Sequence, residues 1–240
     1  MDMPDRSLLI VACDSLGGIG PKPQDTVQVP GYIVGRFSAR VPLMEVMASG
    51  ARPQVLVNTL CVEMFPAGQE IITGIEDEIR SGNLDIPVVT GSTEENVETC
   101  QTGVGITVMG LLTPDRNLRL GSAAKGDLVI CVGRPKVGCE VRLEDKEIVN
   151  LPVLQSILEL DYVDEILPVG SKGIAYEAKL LAQTAGLDLE LSKVTTLEPP
   201  FDLAKSAGPA TCLLCSLPPD CLPQFRRDID RPVAVIGRLS

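Results

Sequence analysis

Leu8-Leu-Ile-Val-Ala-Cys-Asp-Ser-Leu-Gly-Gly-Ile-Gly-Pro-Lys22 is the stretch on which the rest of the chain is organised. Its first part, Leu8 to Ala12, is a short apolar run that reads as a buried strand. Asp14 stands at the predicted strand end, a turn with Gly17, Gly18 and Gly20 follows, and Lys22 closes it. A carboxylate at a strand end can hold a metal ion. Glycines let the backbone approach a phosphate, and a lysine can neutralise its charge. The three together point to a nucleotide-phosphate site. The pattern is neither a Walker A loop, which needs Gly-Lys-Ser/Thr opening a helix, nor the dinucleotide G-x-G-x-x-G. The competing reading is a tight surface turn in which Asp14 caps its own backbone.

Composition narrows the chemistry. The 240 residues allow one larger domain or two small ones. Hydrophobic residues make up 45% and aromatics only 3%, so the core must be aliphatic, which suits an enzyme domain better than a stacking platform for nucleic acid. A net charge of −11 also argues against nucleic acid, whose backbone demands a basic face. There is no histidine, which removes Ser-His-Asp and Cys-His mechanisms and leaves hard, oxygen-bound metals, chiefly Mg²⁺. Eight cysteines (Cys13, Cys61, Cys100, Cys131, Cys139, Cys212, Cys215, Cys221) fall mostly in apolar runs with no secretory signal before them. They read as reduced, buried thiols of a cytoplasmic protein. Cys212 and Cys215 have C-x-x-C spacing inside a predicted strand, where they point to opposite faces; that makes them core and not a zinc site. No apolar run is long enough for a membrane span.

The pattern predicts a mixed α+β fold in two layers, helices on sheets. Val27–Val29 is a possible short strand. Helical spacing runs from about Val34 to Ser49, closed by Gly50, with Pro42 inside predicting a kink or a late start. A strand follows over Pro53–Val62, then a helix over Pro66–Ser81 with Ile71, Ile72, Ile75 and Ile79 on one face; Glu76, Asp77 and Glu78 read as its solvated face. Strands are expected at Ile86–Thr90 and Gly103–Leu112, and a boundary in the polar stretch after Leu112 divides the chain into 1–124 and 125–240. The second part reads as strand Asp127–Gly133, helix Leu151–Leu160 capped by Asn150, strand Val163–Val169, a glycine turn Gly170-Ser171-Lys172-Gly173, helix Ile174–Ala185, and strands Leu187–Leu191, Ala210–Leu217 and Val233–Arg238.

Taken in order, these segments resemble a known family. Asp14-x-x-Gly-Gly-Ile-Gly-Pro-Lys22 is similar to the Asp-Gly-Val-Gly-Thr-Lys segment of aminoimidazole ribonucleotide synthetase (PurM-like) proteins. Leu43-Met-Glu-Val-Met-Ala-Ser-Gly-Ala-Arg-Pro53 resembles that family's helix end, and Pro87-Val-Val-Thr-Gly-Ser-Thr93 stands where relatives carry a Gly-Gly-Asp/Glu-Thr loop. Within the superfamily, the α-ribazole kinases are most similar, through Val11-Ala-Cys-Asp-Ser15, Phe37-Ser-Ala-Arg-Val41, Gly91-Ser-Thr-Glu94 and Pro135-Lys-Val-Gly138. The resemblance implies an N-terminal sheet-plus-helices domain that forms a dimeric barrel, followed by a smaller α/β domain. It implies ATP and Mg²⁺ as cofactors, a homodimer, and a nucleoside-like small-molecule acceptor. For the α-ribazole kinases the acceptor is α-ribazole, in salvage of the cobalamin lower ligand. Thiamine monophosphate kinase-like or synthetase-like activity, or a nucleotide-binding chain without turnover, are the alternatives.

Carried onto this sequence, the resemblance assigns Asp14, Glu45 and Glu94 to Mg²⁺. It assigns Asp14, Gly17, Gly18, Gly20, Lys22, Arg40, Gly91, Ser92, Thr93 and Lys136 to ATP. The sequence departs from the family pattern in three places: Glu45 stands for the helix aspartate, Ser92 for the loop acid (Asp or Glu), and Ser171-Lys172-Gly173 where relatives often have an Asp-Gly turn. The residues themselves leave other readings open. Glu45 lies among Leu43, Met44, Val46 and Met47, so it is either buried or on a wet stripe. Lys22 and Lys136 could be plain surface lysines. Arg36 and Arg40 share a helix face and could serve phosphate or pair with carboxylates. No residue suggests itself as a catalytic base.

Overall fold

The computed structural model describes residues 1, 3, 5–192 and 202–240. The chain divides into two compact units, one of Met1–Met47 with Ala51–Arg116, the other of Ala48–Gly50 with Asn117–Ser240.

The first unit holds a four-stranded sheet in the order β1 (Leu8–Gly17), β6 (Gly103–Leu112), β4 (Arg52–Leu60), β5 (Val88–Thr90). β1 and β4 pair antiparallel with β6, and β5 pairs parallel with β4. β6 shows why the sheet has two unlike faces. Val104, Ile106, Val108, Gly110 and Leu112 are buried, while the residues between them are half-buried, the period-2 alternation of a strand with one face on a core. Helix α1 (Gly31–Ala48) meets the sheet, and α2 (Gln69–Ser81) packs against α1. Val46 of α1 sits where a side chain at Gly110 would go. α1 and α2 meet backbone to backbone: a Cβ on Gly35 would overlap the Ile71 carbonyl, and one on Gly74 the Tyr32 carbonyl. A two-residue parallel pair, β2 (Ile19–Gly20) with β3 (Val27–Gln28), shapes the glycine turn.

Three expectations are corrected here. β1 does not stop at Ala12 but runs on to Gly17, so Asp14 lies inside a strand; pairing with Gly103–Leu112 extends it through weak β-formers. α1 begins at Gly31 and continues through Pro42. Glu78 is not on a solvated face: it is wholly buried, because it sits at i+3 from Ile75 and i+7 from Ile71, on the same apolar side. Among the described residues of the first unit no closed barrel forms; the four-stranded sheet is open.

The second unit is slightly the larger, not the smaller as expected. Its five-stranded antiparallel sheet has the order β8 (Ile166–Pro168), β10 (Cys212–Leu217), β7 (Leu128–Gly133), β11 (Val233–Leu239), β9 (Leu189–Leu191). α3 (Leu151–Leu158) starts as predicted, with the Asn150 side chain accepting from Val153 N–H at 3.1 Å. Ile174, Ala178, Leu181 and Ala182 of α4 (Ile174–Thr184) join a core with Val129, Cys131, Cys212 and Leu214. Cys215 is buried outside that cluster, so the C-x-x-C pair does split between faces. The short α5 (Leu222–Asp228) escaped the sequence reading, having too few turns to show a period. All eight cysteines are free, but only Cys131, Cys212 and Cys215 are buried; Cys13, Cys61, Cys100 and Cys139 are exposed, against expectation. Cys13 shows why: its strand faces outward at odd positions, where an apolar neighbourhood in sequence does not mean burial.

Candidate functional site

The register of the first sheet sets the position of Asp14. It pairs with Ile106, which pairs in turn with Asn58, which pairs with Thr90. All four lie on the helix-facing side of the sheet. Asp14 is half-buried, and burial pushes its carboxyl above the ordinary range, partly offset by the Ser15 N–H. Asn58 is wholly buried; its amide donates to Thr90 Oγ1 at 3.2 Å, while its Oδ1 has no hydrogen-bond partner among the described residues.

The glycine loop leaves the end of β1 and is tied down by the segment entering β6. Gly18 N–H donates to Thr102 O at 2.9 Å, and Thr26 N–H to Gly18 O at 2.7 Å. Asp25, buried, accepts from Lys22 N–H (2.8 Å), Thr102 N–H (2.8 Å) and Thr102 Oγ1 (2.7 Å). Gly20 is held so close to Thr102 that any Cβ would collide with its hydroxyl, and its φ of 153° is one that side chains avoid. The loop is therefore fixed by carboxylate and carbonyl anchors before any ligand arrives.

Lys22 is not a plain surface lysine. Its ammonium is ion-paired with Glu63, the residue after β4 and Cys61-Val62. Glu63 also accepts from Thr99 N–H at 2.7 Å and Thr99 Oγ1 at 3.0 Å. The Lys22 ammonium, with help from Thr99, holds the Glu63 carboxyl well below its usual 4.5, to about 2. The loop after β5 is bound to the same elbow: Glu94 N–H donates to Val62 O at 3.0 Å, and Glu95 accepts from Met64 N–H at 2.8 Å. Gly91 N–H donates to Asn58 O at 2.8 Å, so that loop begins directly beside the buried asparagine. Ser92 is exposed and Thr93 donates to Glu95 at 2.8 Å.

The other nominated side chains have surroundings of their own. Glu94 turns its carboxylate onto its own loop, accepting from Asn96 N–H at 2.8 Å, which holds its pKa below the usual value. Glu45 is exposed on α1, the wet-stripe reading. Arg40 does not face an open site: it is 2% exposed and its guanidinium bonds Glu78 at 2.7 and 3.1 Å, beside Arg36 at 2.7 Å from the same carboxylate. A buried guanidinium needs such a partner, so the pairing reading of Arg36 and Arg40 prevails over the phosphate one. Lys136 belongs to the second unit, where Asp145 and Glu147 each hold its ammonium at 2.6 Å. Ser171 and Lys172 are exposed, and Lys172 donates to Tyr176 OH at 3.0 Å.

Among the described residues, no three Asp, Glu or Cys side chains gather closely enough to enclose a metal. This set fits Mg²⁺, which is commonly held by one or two carboxylates with the remaining positions filled by water and substrate phosphates. Asp14, half-buried, is the residue that would hold it, and the ion would neutralise phosphate charge. Glu63, Asp25, Thr99 and Thr102 were missed by sequence reasoning. Of these only Asp25 had a local signal, the Lys22-x-x-Asp25 spacing of a side-chain-capped turn.

Residues 1–112 match the family described as AIR synthase related protein, N-terminal domain. No curated protein matches the sequence. Solved structures share the fold along the whole chain. The hydrogenase maturation protein HypE of E. coli is 15% identical, with a TM-score of 0.71 over 97% of this chain and 80% of its own. The thiamine monophosphate kinase of Aquifex aeolicus is 19% identical, with a TM-score of 0.66 over 97% and 85%. A HypE solved in complex with ATP is 14% identical, with a TM-score of 0.67 over 97% and 76%. The chain has the fold of these proteins. No helix among its described residues is long and apolar enough to cross a membrane.

Proposed function

We propose that this chain is an ATP- and Mg²⁺-dependent small-molecule kinase that phosphorylates a hydroxyl of a nucleoside-like acceptor, α-ribazole first among them. The observation that carries the reading is the half-buried Asp14 on the strand that runs into a preformed glycine loop, with a lysine at that loop's end. Two solved proteins of this fold support it: one was solved in complex with ATP and one is a kinase. In this reading the Gly17–Gly20 backbone and Lys22 meet the phosphates, with Gly91–Thr93 on the facing loop. Phosphoryl transfer needs positioning and charge neutralisation more than covalent help, which agrees with a site that offers no base.

The test is consumption of Mg-ATP with α-ribazole, and in parallel with thiamine monophosphate, hydroxymethylpyrimidine and formylglycinamidine ribonucleotide. Phosphorylation of α-ribazole alone supports the proposal; turnover of another acceptor moves the chain to that activity. ATP binding with no turnover on any of them favours the second reading, a nucleotide-binding chain without chemistry, for which Ser92 and the exposed Glu45 are the specific observations. Asp14→Asn is expected to lower turnover at least a hundredfold.

The same reading includes a homodimer. The outer face of the first sheet carries Val11 (52% exposed) beside Met109 and Val55, and Val89 (49% exposed) beside Val57. Two such faces packed together would complete a barrel and cover these side chains. Val11→Glu is expected to yield a monomer by light scattering, and an unchanged mass would remove the dimer from the proposal.

A further inference from the structure

The ion pair at the end of the glycine loop has an asymmetry that bears on how the site accepts a ligand. The root of Lys22 is fixed: its N–H donates to Asp25 Oδ2 at 2.8 Å, and its carbonyl accepts from Asp25 N–H at 3.0 Å and Gln28 Nε2 at 2.9 Å. Its tip rests on a single carboxylate, Glu63. Glu63 is held independently, by the N–H and hydroxyl of Thr99, with its own carbonyl accepting from Gly68 N–H at 3.0 Å. If the ammonium leaves, Glu63 keeps two donors and is not orphaned. Both side chains are about one-fifth exposed, so the pair can open to water at small cost. The glycine loop, by contrast, keeps its anchors on Asp25 and Thr102 whichever way the lysine points.

We propose that Lys22 is a swinging arm on a fixed root, that Glu63 is its resting partner, and that a bound polyphosphate takes the ammonium over from Glu63. This rests on the reading of the glycine loop as a phosphate site. In the empty site the pair is neutral, which suits a strongly acidic protein and keeps the lysine from being captured by stray carboxylates. A polyphosphate offers several negative oxygens against one carboxylate, so it wins the exchange. Glu63 thereby sets the affinity of the site: every ligand that uses Lys22 must first displace it. The arm's fixed root limits where its tip can go, so the exchange is between two defined partners and not a loss of order.

The test is a double-mutant cycle on the full chain, with ATP and inorganic tripolyphosphate as probes in titration calorimetry. Removing the resting partner in Glu63→Gln is expected to tighten both ligands about threefold, the scale of a part-exposed ion pair. Lys22→Met is expected to weaken both about tenfold, the loss of a charged hydrogen bond. In the Lys22→Met background, Glu63→Gln must have no effect. A gain that persists there is general charge removal and overturns the proposal, as does a Glu63→Gln variant that binds no tighter. If tripolyphosphate shows the full cycle while ATP does not bind, the resting pair stands and the nucleotide reading falls. If neither ligand binds the wild type, both fall. Should Glu63→Gln not fold, the wild-type protein still decides: the ¹³Cε resonance of Lys22, assigned by its loss in Lys22→Met, must move on adding tripolyphosphate, and a fixed resonance overturns the proposal.

Discussion

Two carboxylate–cation clusters of the first unit, built from the same chemistry, differ in what they can do. Glu78 is wholly buried between α1 and α2 and binds Arg36 and Arg40, while Tyr32 reaches from Arg36 to Asp77. Glu63 is part-exposed and holds one lysine beside a glycine loop. In the first, the carboxylate and one of its guanidinium partners, Glu78 and Arg40, have been taken out of water, and if either leaves it strands the other as a buried ion. In the second, water or another anion can replace either partner. Burial, not the identity of the pair, separates a lock from a latch. The nominated phosphate ligand Arg40 lies in the lock, and Lys22 in the latch.

That contrast can be broken at either end. The largest stability effect is expected from Arg40→Met, which leaves Glu78 only Arg36 and should cost about 3 kcal/mol, read from denaturant unfolding. A loss under about 1 kcal/mol would mean that the cluster is not the lock described. Lys22→Met should leave the unfolding midpoint close to wild type and show its effect in ligand affinity instead. Asp14→Asn is expected to shift the pH profile of stability. Folding raises the Asp14 pKa, so the protonated form is favoured in the native state, and stability from this group is full below its ordinary 3.8 and lost as pH rises through the raised native value. The variant should therefore gain on the wild type near neutral pH and match it near pH 3. The smallest effect belongs to Glu63, whose shift has the opposite sign. Its native value near 2, against an ordinary 4.5, gives stability that is present above 4.5 and lost as pH falls towards 2. Glu63→Gln should flatten the acid limb of the unfolding curve over that window, and an unchanged limb would break the pairing with Lys22.

Much of the fold was legible because local pattern and tertiary burial agree. Val104, Ile106, Val108 and Leu112 alternate as a strand with one wet face must, and the chain buries them so. Asn150 and Pro152 announce α3, and the structure caps it there. The site was harder to read because its parts are joined across long sequence distances. Nothing near Lys22 names Glu63, 41 residues away, and nothing near Asp25 names Thr102, 77 residues away. Glu78 is the instructive miss. Its place in the acidic trio Glu76-Asp77-Glu78 suggested solvent, yet its helical phase with Ile71 and Ile75 already assigned it to the buried side. Charge outweighed period in the reading, whereas in the protein two arginines on the facing helix let period win. Asp14 was expected at a strand end and lies inside the strand, because strand length is set by the partner, Gly103–Leu112, and not by the strand's own propensity.

The close approach of Gly35 to the Ile71 carbonyl and of Gly74 to the Tyr32 carbonyl constrains more than packing. Where side chains separate two helices, a misfit on one can be absorbed by trimming the other. Here the neighbour is main chain, which no substitution can shorten. Any change at either glycine must wedge the helices apart, and no second change elsewhere can make room. The helix pair of the first unit can therefore vary in sequence only around this point, and a search for stabilising variants should leave both positions untouched.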